Sequence, residues 1–384
     1  HEKLEAYTKS RLRGSEDATE RFATEFVLKT LKKRLFSSPA AFLTTILKHE
    51  ESVRTSKTKK KGLPKPSLGI LQQQIARVEE DSENEDEHEE ITQDTVDSSS
   101  RLFHDLTAEE SQVLSALRTW AERASLRKDS KTEHLIHWLN ATIKPEGNWS
   151  DERVIIFTEY RATQKWLQTI LTAEKLGDKE HLAVLHGGLD SESRERIKNA
   201  FQAPPDRSQI RILLATDAAS EGIDLQNYCH RLIHFEVPWN PNRMEQRNGR
   251  VDRHGQRSKE VNIFHFVGKG FKERLQRYDA GDLQQIKPGH LQGDMEFLMI
   301  AARKVENIRT DLGKVGPVIA EQVEQAMLGR RVSLDTASAE HDAKPAREML
   351  RFERDLQRQV MQLHEKLIQT RHDLHLTPEN IQSA

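Results

Sequence analysis

The eleven-residue string QRNGRVDRHGQ, at residues 246–256, concentrates side chains that can bind phosphate. Arg250 and Arg253 are three residues apart, so a helix over this stretch would place both guanidinium groups on one face. A guanidinium is a planar fork of fixed donors that matches phosphate oxygens in pairs. Gly249 leaves room for the close approach of a ligand or of another backbone. Two such groups on one face suit a polyphosphate, whereas an isolated pair with this spacing is interpreted as a solvated basic helix that forms surface ion pairs.

Five short apolar runs predict the domain that positions this string. Each run is rich in Val, Ile, Leu or Phe; they are VIIFTEY (154–160), LAVLHGG (182–188), RILLATD (211–217), RLIHFEV (231–237) and VNIFHFV (261–267). Amphipathic, helix-like pieces separate the runs, which indicates an α/β fold with a parallel sheet covered by helices on both faces. In such sheets ligands bind at the loops that leave the carboxyl ends of the strands, so we expect the chemistry there.

Composition divides the chain into four segments. The net charge of -2, from 59 basic and 61 acidic residues, gives no overall sign of a nucleic-acid binder. Charge is nevertheless strongly segregated, because basic residues crowd 54–65 and residues 79–90 (EEDSENEDEHEE) are nearly all acidic. We predict a helical segment at 1–50, a charged disordered linker at 51–105, an α/β lobe at 106–270 and a C-terminal helical extension at 271–384.

The distribution of apolar residues and the single cysteine indicate in which cellular compartment the protein is expected. No run of 18 or more apolar residues is present and no charged-then-apolar signal opens the chain, so we expect neither a membrane span nor export. Cys229 has no second cysteine with which to form an internal disulfide, and we interpret it as a buried small hydrophobic residue in a reducing compartment. A cytoplasmic location is the expectation.

Several strings follow one another in an order that resembles a known family. They are DSK at 129–131, VIIFTEY with Phe157 and Thr158, LHGGLDSESRERIKNAF, LLATDAASEGIDLQ and VPWNPNRMEQRNGRVDRHGQ. Over residues 129–268 the chain resembles the second, C-terminal RecA-like lobe of Swi/Snf-type helicase-like ATPases of helicase superfamily two. The last string resembles that superfamily's motif VI. The spelling SEGIDLQ is closest to the bacterial RNA-polymerase-associated branch and to phage-defence helicases of the DISARM type.

The resemblance implies a nucleotide role for five residues. Arg250 and Arg253 would be arginine fingers that reach the γ-phosphate of ATP, and Gln246 would line the same site. Gly222 and Asp224 would lie near the sugar of the nucleotide and couple it to the DNA track. The alternative for Asp224 is a cap on the helix that follows its strand.

The resemblance also implies a track for one strand of DNA. Thr158, Thr216 and the loop of His186, Gly187 and Gly188 would contact its phosphates, since small hydroxyls and backbone N–H groups position a protein without reading sequence. The glycine pair could equally form an ordinary tight turn, and His186 could be a satisfied core histidine. Trp239 is interpreted as a packing anchor rather than a base-stacking platform.

Two sequence patterns of a nucleotide-binding lobe are absent. The chain contains no GxxxxGK[ST] loop, and no Asp-Glu-x-His box follows an apolar run. The resemblance therefore implies ATP with Mg²⁺ held mainly by a first RecA-like lobe, in the same or a companion chain, which the helical segment at 1–50 would follow. The other expected partners are duplex DNA and either RNA polymerase or phage-defence proteins, in a nucleoid-associated, cytoplasmic setting.

Three functions are compatible with these features. The first is the C-terminal half of an ATP-dependent duplex-DNA translocase, an ATP hydrolase only together with the first lobe. The second is the lobe of a helicase that unwinds DNA or RNA. The third is a non-catalytic nucleic-acid-binding scaffold, against which the presence of Gln246, Arg250 and Arg253 argues, since such a module needs no arginine fingers.

Overall fold

The structure, a computed structural model, describes residues 1–15, 17–58, 66–79, 85–217, 225–279, 291–307, 312–328 and 330. These residues form thirteen α-helices and five β-strands. The helices are α1 (Glu2–Gly14), α2 (Ala18–Ser37), α3 (Pro39–Thr58), α4 (Leu68–Glu79), α5 (Glu85–Ser100), α6 (Ala108–Ala124), α7 (Ser130–Thr142), α8 (Arg161–Ala173), α9 (Ser191–Gln202), α10 (Pro241–Asn248), α11 (Phe271–Asp279), α12 (Leu291–Asn307) and α13 (Leu312–Met327). The strands are β1 (Val154–Thr158), β2 (Leu182–Leu185), β3 (Ile212–Thr216), β4 (Arg231–His234) and β5 (Asn262–His265).

The first six helices pack into a bundle around one apolar core. Its buried members include Phe26, Leu31, Phe42, Ile46 and Leu117. Helix α3 begins with a proline in its first turn, directly after Ser38, whose hydroxyl accepts a hydrogen bond from Ala41 N at 3.0 Å. Proline is favoured at this position because its missing N–H has no partner there. Most of the described residues of 1–50 therefore lie in the helices α1 to α3.

The described part of 51–105 differs from a disordered linker. Helices α4 and α5 both lie in the bundle, to whose core they contribute Leu71, Ile75 and Val96. Helix α5 also buries the hydroxyl residues Thr92 and Thr95, which donate to the carbonyls of the preceding turn at 2.8 and 2.7 Å. These bonds satisfy the hydroxyls locally, so a polar sequence can form a buried helix face.

The five strands form one parallel sheet in the order β2-β3-β1-β4-β5. Each of the five predicted apolar runs contains one of these strands. The chain fills one side of β1 first, with β2 and β3, and then crosses to the other side for β4 and β5. In open parallel sheets such a reversal leaves a crevice at the carboxyl ends of the central strands, where ligands bind.

Helices cover both faces of the sheet. One face packs Ile156 and Leu214 against Leu139 of α7 and Leu167 of α8. The opposite face packs Phe157 and Leu213 against Phe201 of α9, together with the buried Cys229. The α/β class predicted from the sequence, a RecA-like parallel sheet covered by helices on both faces with flanking helical segments, is confirmed.

Direct polar contacts join the helical bundle to the sheet domain. Lys131 Nζ, at the start of α7, donates to the carbonyls of Ser37 at 2.7 Å and Phe235 at 3.3 Å. The hydroxyls of Ser37 and Ser38 lie 2.6 and 2.7 Å from that of Thr163 in α8. The bundle therefore lies directly against the lobe.

Beyond the sheet domain, the residues 271–279, 291–307 and 312–327 form the helices α11, α12 and α13. Helices α12 and α13 bury Phe297, Ile319 and Val323 against Trp239. Trp239 is 4% exposed, which agrees with a packing anchor. Among the described helices none is long and apolar enough to cross a membrane.

Candidate functional site

The ends of β1 and β3 place two predicted nucleic-acid contacts side by side. Thr158 and Thr216 are register partners in the sheet, and both are fully buried. Thr216 Oγ1 donates weakly to the carbonyl of Leu185 at 3.5 Å, whereas Thr158 Oγ1 has no hydrogen-bond partner among the described residues. The two hydroxyls therefore lie at the carboxyl edge of the sheet, beneath its surface.

The loop of His186, Gly187 and Gly188 follows β2 at the same edge. His186 is half-buried and its Nδ1 has no hydrogen-bond partner within the described part of the chain. Burial lowers the pKa of its imidazole, and the nearby positive charge of Arg161 lowers it further. His186 is therefore neutral near pH 7, and its burial is intermediate between that of a core histidine and that of an exposed one.

Cationic side chains surround this loop. Lys165 and Arg194 join Arg161 in lowering the pKa of His186, so all three lie close enough to act on it electrostatically. Arg194 Nη2 also donates to the carbonyl of Gly187 at 3.1 Å. We call Arg161, Lys165 and Arg194, together with the loop 186–188, the basic face. Sequence reasoning did not assign these three cations, since each stands in a helix among other charges.

The segment with the predicted fingers is positioned by α10. Asn240 caps this helix by accepting from Asn242 N at 3.0 Å, and Pro241 occupies its first turn. The helix ends at Asn248, so Arg250 and Arg253 lie in the turns that follow and do not share a helix face. The prediction that both guanidinium groups lie on one helix face is therefore wrong. Gly249 is the C-cap, where the chain leaves the helix.

The three predicted nucleotide contacts in this segment differ in exposure. Gln246 is exposed on the last full turn of α10, Arg250 is half-buried and Arg253 is exposed. The backbone N–H of Leu225 donates to the carbonyl of Arg250 at 3.1 Å, which holds the turn against the chain that follows β3. Gly222 and Asp224 lie outside the described residues, and their roles stay predictions.

One arginine that the sequence reasoning missed anchors this segment. Arg247, 1% exposed, donates through Nε and Nη2 to the two carboxylate oxygens of Asp217 at 2.5 and 2.8 Å. Its guanidinium also lies 5.6 Å from the centre of the Phe157 ring. Burial opposes the charge of Arg247, yet the carboxylate of Asp217, together with those of Glu236 and Glu159, outweighs burial and raises the arginine pKa. The pair joins α10 to the residue that directly follows Thr216.

Two stacked histidines lie behind Arg247. The rings of His234 and His265 are parallel, with centroids 4.6 Å apart. His234 Nε2 lies 2.8 Å from Asn248 Oδ1, and Arg247 Nη1 lies 3.4 Å from its Nδ1. An amide oxygen accepts and a guanidinium donates, so His234 carries its hydrogen on Nε2 and is neutral. Burial lowers the pKa of His234 well below its usual value and that of His265 to about 4.

A buried carboxyl group completes the crevice between β1 and β4. Glu236 Oε1 accepts a hydrogen bond from the backbone N–H of Glu159, and its Oε2 has no hydrogen-bond partner among the described residues. Burial raises the pKa of Glu236 to about 7, against the opposing charges of Arg247 and Lys131. This edge of the sheet therefore holds a carboxyl group whose pKa is about 7.

Part of this chain is similar to known proteins. Residues 130–255 match the family model described as the helicase conserved C-terminal domain. An uncharacterized ATP-dependent helicase of Bacillus subtilis, YqhH, is 40% identical over 119 residues, which are 31% of this chain and 19% of that protein. The RNA polymerase-associated protein RapA of Pectobacterium carotovorum is 34% identical over 136 residues, 35% of this chain and 12% of RapA.

A solved structure of similar type is the C-terminal part of the Fun30 ATPase domain. It is 17% identical, with a TM-score of 0.33, and covers 68% of this chain and 85% of that one. The curated relatives are much longer than the matched region, since this chain spans 19% of YqhH and 12% of RapA.

The family model covers the helices α7 to α10 and the strands β1 to β4. The similarity to RapA agrees with the RNA-polymerase-associated side of the branch prediction, while the DISARM-type side stays a prediction. Residues 130–255, which hold the strands β1 to β4, therefore resemble the C-terminal lobe of Swi/Snf-like helicases of superfamily two.

Proposed function

We propose that this chain supplies the C-terminal half of an ATP-dependent duplex-DNA translocase. The observation that carries the proposal is the buried ion pair between Arg247 and Asp217. It connects the segment of Gln246, Arg250 and Arg253 to the strand end that holds Thr216. A motor needs such a link, because a change at the nucleotide must reach the contact with the track.

On the nucleotide side, this chain would supply mainly the cations Arg250 and Arg253, with Gln246 beside them. Arg250 and Arg253 follow the end of α10 in turns that leave Arg253 exposed and Arg250 half-buried, so both can approach a second lobe. Gln246, exposed one turn earlier, would complete the same surface. ATP with Mg²⁺, held mainly by a first RecA-like lobe, would supply the phosphoryl group whose hydrolysis drives the motor.

On the nucleic-acid side, the basic face would follow the phosphates of one strand. Its cations and the glycine backbone at 187–188 recognise phosphate and carry no means of reading bases. Thr158 and Thr216 lie buried under this edge, so they would act after an opening of the surface or as supports for the loop. The partners would be duplex DNA, the first lobe and, by analogy with RapA, RNA polymerase.

Binding of fluorescently labelled duplex DNA by this chain tests the track. We expect weak affinity that is equal for unrelated sequences and falls log-linearly between about 50 and about 200 mM salt, because each neutralised phosphate releases counterions. Lys165→Gln should weaken binding and reduce the slope by up to about one. Lys179→Gln is the matched control, since Lys179 is equally exposed but precedes β2, at the opposite edge of the sheet.

Three results would contradict the proposed track. Affinity that is flat with salt would exclude phosphate contacts as its source. A strong dependence on base sequence would indicate direct readout of bases. Equal effects of Lys165→Gln and Lys179→Gln would show that charge anywhere on the lobe suffices.

A further inference from the structure

The acidic first turn of α5 lies on the basic face. Asp86 Oδ1 is 3.6 Å from Arg161 Nε, and a Cβ atom built on Gly188 would lie 3.0 Å from Asp86 Oδ2. The carboxylate therefore lies directly over the backbone of the 186–188 loop. It occupies the position from which a phosphate group would meet the same cation and the same glycine.

The charges agree with this placement. Arg161, Lys165 and Arg194 lower the pKa of His186, and Asp86 is the anion that opposes them. Asp86 belongs to the run 79–90, the most acidic stretch of the chain. A carboxylate on this loop neutralises the same cations that a nucleic-acid phosphate would neutralise.

The first turn of α5 is held more weakly than the rest of the helix. Further along α5, Glu89 forms a two-point pair with the buried Arg34 at 2.8 and 2.6 Å, and Val96 lies in the bundle core. Asp86 is 53% exposed, and the Arg161 side chain with which it pairs is 11% exposed. Ion pairs with exposed members are weak, so a ligand with several phosphates can displace Asp86 while α5 stays anchored.

We propose that the basic face is a phosphate-binding site and that Asp86 of α5 occupies it as a built-in competitor of nucleic acid. The inference rests on the proposed function, because it assumes that this face contacts DNA. A tethered anion acts at a high effective concentration, so it weakens DNA binding without closing the site. The chain would then bind DNA more weakly than its basic face alone allows.

The test compares two charge removals on the same helix. Asp86→Asn should raise the affinity for a labelled DNA duplex at low salt about two- to fivefold, the range of one exposed ion pair. Asp94→Asn is the matched control, because Asp94 is exposed on the same helix about 12 Å further along. It should leave the affinity unchanged. Asp86→Ser serves as a second variant that removes the carboxylate, and circular dichroism verifies the fold of each protein.

The outcomes separate this inference from the proposed function. Tighter binding by both Asp86 variants but not by Asp94→Asn supports the competitor. Equal affinity of the wild type and the Asp86 variants, or an equal gain in Asp94→Asn, overturns it and leaves the DNA-binding function standing. Failure of every protein to bind duplex at low salt overturns the proposed track and the competitor with it.

Discussion

Replacing Asp217 with asparagine removes the carboxylate that faces the most buried cation of the candidate site. Arg247 is 1% exposed and donates two hydrogen bonds to Asp217, at 2.5 and 2.8 Å. In the variant the guanidinium stays buried, and a neutral amide oxygen offers it a single acceptor. We expect Asp217→Asn to lower the free energy of unfolding of the sheet domain.

The magnitude follows from the geometry of the pair. Charges about 4 Å apart attract by about 4 kcal/mol at an effective dielectric constant of about 20. Measured losses on breaking one side of a buried pair are about 3–5 kcal/mol. Asp217 is 26% exposed, and the asparagine keeps one acceptor, so we expect the lower end, about 3 kcal/mol.

The assay is equilibrium unfolding in urea, followed by circular dichroism and by the fluorescence of tryptophan, including the buried Trp166. Asp151→Asn is the matched control, since Asp151 pairs with Arg211 at 3.4 Å but is 86% exposed. An exposed pair of this kind contributes about 0–1 kcal/mol. If Asp217→Asn is no more destabilising than Asp151→Asn, the buried pair does not anchor α10 and this reasoning is refuted.

Two further predictions concern pH. Burial raises the pKa of Glu236 from 4.5 to about 7, so the folded state favours the protonated form and wild-type stability falls as pH rises between these values. Glu236→Gln should remove this fall, about 3 kcal/mol, in urea titrations at pH about 5 and about 8; parallel pH profiles would contradict it. Burial lowers the pKa of His49 from 6.5 to about 3, because the folded state favours the neutral imidazole. The stability that depends on this neutral form is fully present above pH 6.5 and is lost as the pH falls towards 3. His49→Gln should be less acid-sensitive than wild type in thermal melts across this range, and an unchanged acid sensitivity would show that His49 is not responsible.

The sheet could be predicted from the sequence because of how parallel strands are buried. A strand covered on both faces needs mostly apolar side chains, and β1 and β3 bury all five of their residues, of which only the last is polar. Such runs stand out in a chain that is 31% charged. All five predicted runs therefore coincide with strands.

Helix α5 (Glu85–Ser100) could not be predicted from composition. Helix α5 reads as acidic and polar, yet it places Thr92, Thr95 and Val96 on its buried face and its carboxylates elsewhere. Whether such a face is buried depends on the neighbouring helices of the bundle, which a local pattern does not contain.

The sequence identified the segment that carries the candidate site but not the contacts that position its side chains. The spacing drew attention to Arg250 and Arg253, while the side chain that pairs with Asp217 is the buried Arg247. Its role depends on the end of α10 at Asn248 and on Asp217, thirty positions away along the chain. The one local signal was that Asp217 directly follows Thr216 at a strand end, where parallel sheets bind ligands.

The measurement that tests the central claim most directly is the ATPase rate of a complete motor, formed by this lobe with the lobe that carries the phosphate-binding loop. The proteins compared are the wild type, Arg250→Ala, Arg253→Ala and Arg257→Ala. Arg257 is the control, an exposed arginine close by whose guanidinium lies 4.4 Å from the centre of the Tyr228 ring.

We expect the DNA-stimulated ATPase rate to fall at least about 10³-fold in Arg250→Ala and Arg253→Ala, the range of arginine fingers, and to stay near wild type in Arg257→Ala. Duplex affinity without nucleotide should stay within a few-fold in all three, because the proposed DNA contacts lie on other loops. ATPase retained within a few-fold in the Arg250 and Arg253 variants, together with a collapse of their DNA affinity, would show that these arginines hold the track and would contradict the account.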